Sequence, residues 1–71
     1  MTHTIAAELV GTVLKVVARA GEAVTAGDTI VLLESMKMEI PVLTEYAGIV
    51  RDVAVEEGDN VQEGDVLAVV E

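Results

Sequence analysis

Seventy-one residues carry thirteen acids against four bases, a net charge of −9, with 52% apolar side chains and no cysteine. That length holds one small domain spanning residues 1–71; it has no disulfide and no thiolate metal site, and its charge repels phosphate backbones and anionic lipid, so nucleic acid and membranes are poor partners. No apolar run approaches the roughly 18 residues of a membrane span, and the start lacks the basic region and cleavage site of a signal peptide; the expectation is a soluble, cytoplasmic protein.

Residues 1–4 read as a loose start, with His3 solvated rather than acting as a ligand. Residues 5–10 read as a first strand ending at Gly11, and 12–18 as a second. Val13, Val16 and Val17 also fit helical spacing, but glycines at 11 and 21 leave little room and the β-branching favours a strand. The odd spacing of Val13 and Val16 suggests a bulge or bend. Val24 is the single apolar anchor between Gly21 and Gly27, after which Gly27-Asp28 turns the chain into a long strand at 29–35. A strand at 38–43 returns, and Pro41, lacking an amide hydrogen, is expected at an edge or an unpaired position. Residues 49–55 form the next strand, Val61 anchors the stretch between Gly58 and Gly64, and Gly64-Asp65 leads into a last strand at 66–71.

The second half of this list repeats the first. Slid along itself, the sequence places Gly11 on Gly48, Gly21 on Gly58 and Gly27 on Gly64, which uses all six glycines. Val13, Val16, Val24, Asp28 and Glu34 fall on Val50, Val53, Val61, Asp65 and Glu71, and Glu8 falls on Glu45. Matched glycines imply matched backbone shapes. A solenoid needs more units; two half-domains instead pack face to face around one core, as in a sandwich or barrel. The junction of the halves is then a two-residue hairpin tip at Met36 and Lys37, with both chain ends at the opposite pole.

That tip breaks a local rule. Two-residue hairpins favour type I′ turns with positive φ at both central residues, normally Asn-Gly or Gly-Gly. Met and Lys there cost about 1–2 kcal/mol each, and such conflicts concentrate at functional points. An enzyme is a poor reading: the acids sit in turns and at strand ends, Ser35 has no base in reach, and no glycine spacing makes a phosphate cradle. A catalytic lysine needs burial or a cationic neighbour, whereas Lys37 is flanked by Glu34 and Glu39, which favour the ammonium. Lys37 reads better as a substrate, presented to a partner's active site, with Met36 and Met38 as adaptable contact residues and Glu34, Ser35 and Glu39 completing the hairpin. Ordinarily a lysine in a hairpin is only a solvated turn residue, as Lys15 is read on its strand; position at the centre of the repeat sets Lys37 apart.

The stretch Glu34-Ser35-Met36-Lys37-Met38-Glu39 closely resembles the attachment motif of biotinyl domains, usually Ala-Met-Lys-Met. The pairs Gly21-Glu22, Gly27-Asp28, Gly58-Asp59 and Gly64-Asp65 follow the same family's pattern, and the resemblance runs from Ala6 to the end. It implies an all-β flattened barrel-sandwich of two four-stranded antiparallel sheets with quasi-two-fold symmetry. It further implies biotin joined by an amide to Lys37, installed by biotin protein ligase with ATP, in a non-enzymatic, monomeric carrier serving biotin carboxylase and carboxyltransferase. Ser35 replaces the usual Ala, and Glu8-Leu9-Val10 stands where many relatives have Pro-Met-Pro. Equal glycine spacing in the two halves leaves no room for the protruding thumb of some carriers. The related lipoyl domains typically have Asp before the lysine, so Met36 and Met38 favour biotin. A lipoyl or dual carrier, or an unmodified interaction module of the same fold, are the alternatives.

Overall fold

Eight strands follow one another in the computed structural model, which describes residues 2–71: β1 (His3–Ala6), β2 (Gly11–Val16), β3 (Ala23–Val24), β4 (Thr29–Ser35), β5 (Met38–Leu43), β6 (Gly48–Val53), β7 (Asn60–Val61) and β8 (Val66–Val70). They form two four-stranded antiparallel sheets, β1-β8-β6-β3 and β5-β4-β2-β7. Among the described residues there is no helix, and so none long and apolar enough to cross a membrane.

The repeat in the sequence is a repeat in the ladder. In one sheet Thr4 faces Val69 and Ile5 faces Ala68; in the other, their counterparts Pro41 and Val42 face Leu32 and Val31. The bulge expected from the valine spacing occurs twice, between Val13 and Lys15 in β2 and between Val50 and Asp52 in β6. Pro41 lies on β5, an edge strand bonded only to β4, where its missing amide hydrogen is tolerated.

Four turns share one construction. The amides of Arg19, Thr25, Glu56 and Gln62 each donate to the carboxylate three residues on, Glu22, Asp28, Asp59 and Asp65, at 2.6 to 2.9 Å. The amide of each acid returns a bond to the carbonyl of the first residue at 3.0 to 3.1 Å. The glycine before each acid has φ between 91° and 94°, the left-handed value that a type II turn demands at its third position. Four of the thirteen acids are thereby explained as turn locks.

The halves are also tied to each other. Val13 accepts from the Gly58 amide and donates to the Asp59 carbonyl, both at 2.8 Å, while Val50 makes the same pair of bonds with Gly21 and Glu22 at 2.7 and 2.8 Å. Between the sheets lies a core of matched pairs, Ile30 with Leu67, Leu33 with Val70, Val13 with Val50 and Val24 with Val61, all buried. Each of the larger of these side chains contributes about 1.5–3 kcal/mol by leaving water.

The first strand corrects the expected boundaries. Ladder bonding begins at His3 rather than Ile5 and stops at Ala6 rather than Val10. His3 and Thr4, expected to be loose, pair with Val70 and Val69 near the other end of the chain; Met1 lies outside the described residues. Ala7 leaves the ladder because its amide and carbonyl are taken by Asp65 and Gly64. His3 is not simply solvated: its ring stacks on Tyr46 with centroids 3.6 Å apart and planes within 5°. The second and sixth strands begin one residue earlier and end two residues earlier than expected, and β8 stops at Val70.

Glu71 and the start of β1, which lie side by side, sit away from the hairpin. Glu71 exchanges backbone bonds with Ile49, and Ile49 pairs with Ala23 of β3. β3 leads through one turn into Thr29, the end of β4 remote from the tip. At ~3.3 Å per residue, β4 separates the two poles by roughly 20 Å.

Candidate functional site

β4 runs through the middle of its sheet, between β5 and β2, and is anchored by Ile30, Val31 and Leu33, all at 0% exposure. From that base Leu33 faces Ile40, Glu34 faces Glu39, and Ser35 faces Met38. Only Met36 and Lys37 are left to turn the chain, and they do so with φ of 52° and 64°. Those values are the type I′ turn expected from the sequence, held by two residues that resist it. β-Branching on either side and a fully buried base make the strain affordable.

The result is an exposed, stiffly mounted amine. Met36 is 89% exposed and Met38 59%, and Lys37 is exposed between them. The ion pair among the described residues is Arg51 with Glu71, so neither Glu34 nor Glu39 grips the Lys37 ammonium, although both stand on the second rung below the turn. Met36, Lys37 and Met38 are thus brought together at the tip, with Ser35, Glu34 and Glu39 beneath it. An amine so placed has no machinery of its own; it can be enclosed and acylated by another protein.

Other sites are less promising. No group of three or more His, Asp or Glu among the described residues could hold a metal ion. An open groove of about 560 Å³ between β1 and β5 is lined by Leu9, Leu33, Ile40 and Tyr46 with Glu8 and Glu45. Lys37 is not part of its wall.

One neighbour of the tip was not singled out from the sequence. Thr12 faces Glu34, and a Cβ on Gly11 would lie 2.7 Å from the Glu34 carbonyl oxygen. Val10, the residue before Gly11, is 66% exposed. A register between β2 and β4 was the missing signal, and it follows from pairing rather than from local sequence.

Comparison with known proteins agrees with this geometry. The family model described as "Biotin-requiring enzyme" matches residues 1–70. A Mycobacterium leprae protein named "Biotinylated protein TB7.3 homolog" is 53% identical over 70 residues, covering 99% of both chains. The "Biotin/lipoyl attachment protein" of Bacillus subtilis is 45% identical over 64 residues, 90% of this chain and 88% of that one. Among solved structures, the urea carboxylase of Kluyveromyces lactis superposes on the whole of this chain with a TM-score of 0.94 and 34% identity, over 6% of its own length.

Proposed function

Because the chain belongs to the biotin/lipoyl attachment family, we propose that Lys37 is its acylation site, that biotin is the group attached, and that the loaded domain carries carboxyl groups between a biotin carboxylase and a carboxyltransferase. The observation that carries this reading is the pair of positive φ angles at Met36 and Lys37, a strain that the fold tolerates only where an amine is held out. The residues present fit the group: a primary amine, exposed, free of carboxylate partners, on a turn that keeps it from folding back.

Loading is an acyl transfer. Within a biotin protein ligase, Lys37 gives up a proton, and its Nζ attacks the carboxyl carbon of biotin that ATP has activated. The amide C–N bond forms as the activating group leaves. Met36 and Met38 line the approach with flexible thioether side chains. Attached biotin supplies a ureido nitrogen that can accept and release a carboxyl group. The protein's part is transport: lysine and biotin together reach roughly 14 Å by bond counting, and tethering raises the effective concentration at each site visited. Acylation removes the Lys37 charge, so the hairpin is left with two acids and no cation. A cytoplasmic, monomeric carrier without catalysis of its own is the setting in which these parts work.

The decisive experiment is intact-mass analysis after incubation with ligase, ATP and biotin, together with peptide mapping. One biotin added at Lys37, lost in Lys37→Arg and kept in Lys15→Arg, is the expected result. Addition surviving in Lys37→Arg, or none to the wild-type chain, overturns the assignment. A second reading, that lipoate is also accepted, is favoured by the name of the Bacillus subtilis relative, "Biotin/lipoyl attachment protein"; the same assay with a lipoate ligase and lipoate reads it directly.

A further inference from the structure

The bonds just past β5 fix which way its backbone groups point. Thr44 donates its amide to the Asp28 carbonyl and accepts from the Gly27 amide, so both of its groups face the β4 side. Along an antiparallel strand that direction alternates. Val42, Ile40 and Met38 therefore also bond inward, as a two-residue hairpin requires of Met38. Glu39, Pro41 and Leu43 turn their backbone groups away from β4. β5 is the edge of its sheet, and no bond in the turns and loops of the described residues takes up those outward groups.

An edge with unpaired groups is a template for another strand, and a second copy of this chain carries a matching one. If two β5 strands met antiparallel about Pro41, Glu39 would face Leu43 of the second copy, so that no two carboxylates stand opposed. Ile40 would face the second copy's Val42, an apolar cross-strand pair. Both are only half-buried, and Leu43 is 49% exposed, so apolar surface is there to cover. β5 begins at Met38, directly after Lys37. A strand laid along it would crowd the amine's approach.

Pro41 sits at the centre of that pairing. There the copies would exchange both bonds between residue 41 and its own equivalent, and proline has no amide hydrogen to give. The repeat shows that the fold does not demand proline here, since Thr4 stands in the same place on β1, the edge of the other sheet. β1 is four residues long with a register shift between Ile5 and Ala6, and short, irregular edges are already poor templates. β5 has six residues and pairs with β4 without a shift from Val42 to Met38. We infer that Pro41 guards this edge, preventing a second copy of the chain from adding its β5 there and keeping the strand beside Lys37 clear. Its benefit to loading rests on Lys37 being the loading site, as proposed above; the blocked edge does not.

Analytical ultracentrifugation of the full chain over a range of concentrations tests it. Pro41→Thr restores the amide with the residue that β1 uses, and it associates about thirtyfold more tightly than the wild-type chain, the worth of two recovered backbone bonds. Amide exchange locates the contact: in Pro41→Thr the Glu39 and Leu43 amides slow as concentration rises, whereas in the wild-type chain they do not. Loading of Pro41→Thr by a biotin protein ligase, with ATP and biotin, falls per chain as the carrier is concentrated. If Pro41→Thr disturbs folding in a thermal melt, Pro41→Ala restores the same amide and takes its place. Association no tighter than wild type, or association that leaves the Glu39 and Leu43 amides unchanged, overturns the inference. So does a wild-type chain whose own Glu39 and Leu43 amides slow with concentration. Failure of the wild-type chain to load at Lys37 overturns the site instead, and association still decides the edge.

Discussion

Glu34 and Glu39 face one another across the hairpin on the second rung below the turn, with Ser35 and Met38 between them and the tip. Directly opposed carboxylates weaken a ladder by roughly 0.2–1 kcal/mol, so the site carries a second local penalty besides its turn. Replacing one with a cation, Glu39→Lys, relieves the opposition and adds a cross-strand ion pair. A thermal melt should show a rise of a few degrees, given about 4–8 °C per kcal/mol for a domain of this size.

The turn itself offers the larger gain. Met36→Asn with Lys37→Gly installs the residues that a type I′ turn prefers, removing strain of about 1–2 kcal/mol at each position. Urea unfolding should give a midpoint shifted upward by an amount equivalent to about 2 kcal/mol or more, with an unchanged slope. The variant accepts no biotin. Stability bought by losing the amine would show that the native turn is kept for what it carries.

Two glycines resist alanine for different reasons. At Gly64 the space is open but φ is +92°, so Gly64→Ala costs the strain of a left-handed residue, about 1–2 kcal/mol. At Gly11 a Cβ meets the Glu34 carbonyl, and β2 must move away from β4, an overpacking of about 1–3 kcal/mol. Amide NMR distinguishes them: Gly11→Ala shifts the signals of Glu34 and Ser35, whereas Gly64→Ala leaves the tip unchanged.

Neither half should fold by itself. The bonds from Gly58 and Asp59 to Val13, and from Gly21 and Glu22 to Val50, cross between halves, as does the core. Fragments 1–36 and 37–71 are each expected to give disordered circular dichroism spectra. Mixed together at equal concentration they should regain a β-sheet spectrum and a cooperative melt.

Much of this fold was legible because it is written twice. The glycine spacing exposed the duplication, and Gly27-Asp28 and the Met36-Lys37 tip bounded β4 and β5 to the residue. Strand β1 was set too late, since His3 and Thr4 are ordered by Val70 and Val69, partners that no local window contains. Gly11 read as a strand terminator, yet it pairs with Val61 and is small because the Glu34 carbonyl crowds it. The stacking of His3 on Tyr46 likewise joins two segments that periodicity treats separately. At the site, the tip could be placed from its own six residues; the approach of Thr12 and Gly11 to Glu34 could not, because it depends on how β2 registers with β4.

The duplicated register has a consequence for engineering. Val70 and His3 pair as Leu33 and Ile40 do, so the pole holding the termini is already shaped to receive a hairpin. In the repeat, Glu71 stands in the place of Glu34 and Met1 in that of Met38. Inserting Ser-Met-Lys between Glu71 and Met1 would therefore close the polypeptide into a circle with no free ends and a second handle facing away from the first, a bivalent shuttle able to engage two enzymes at once.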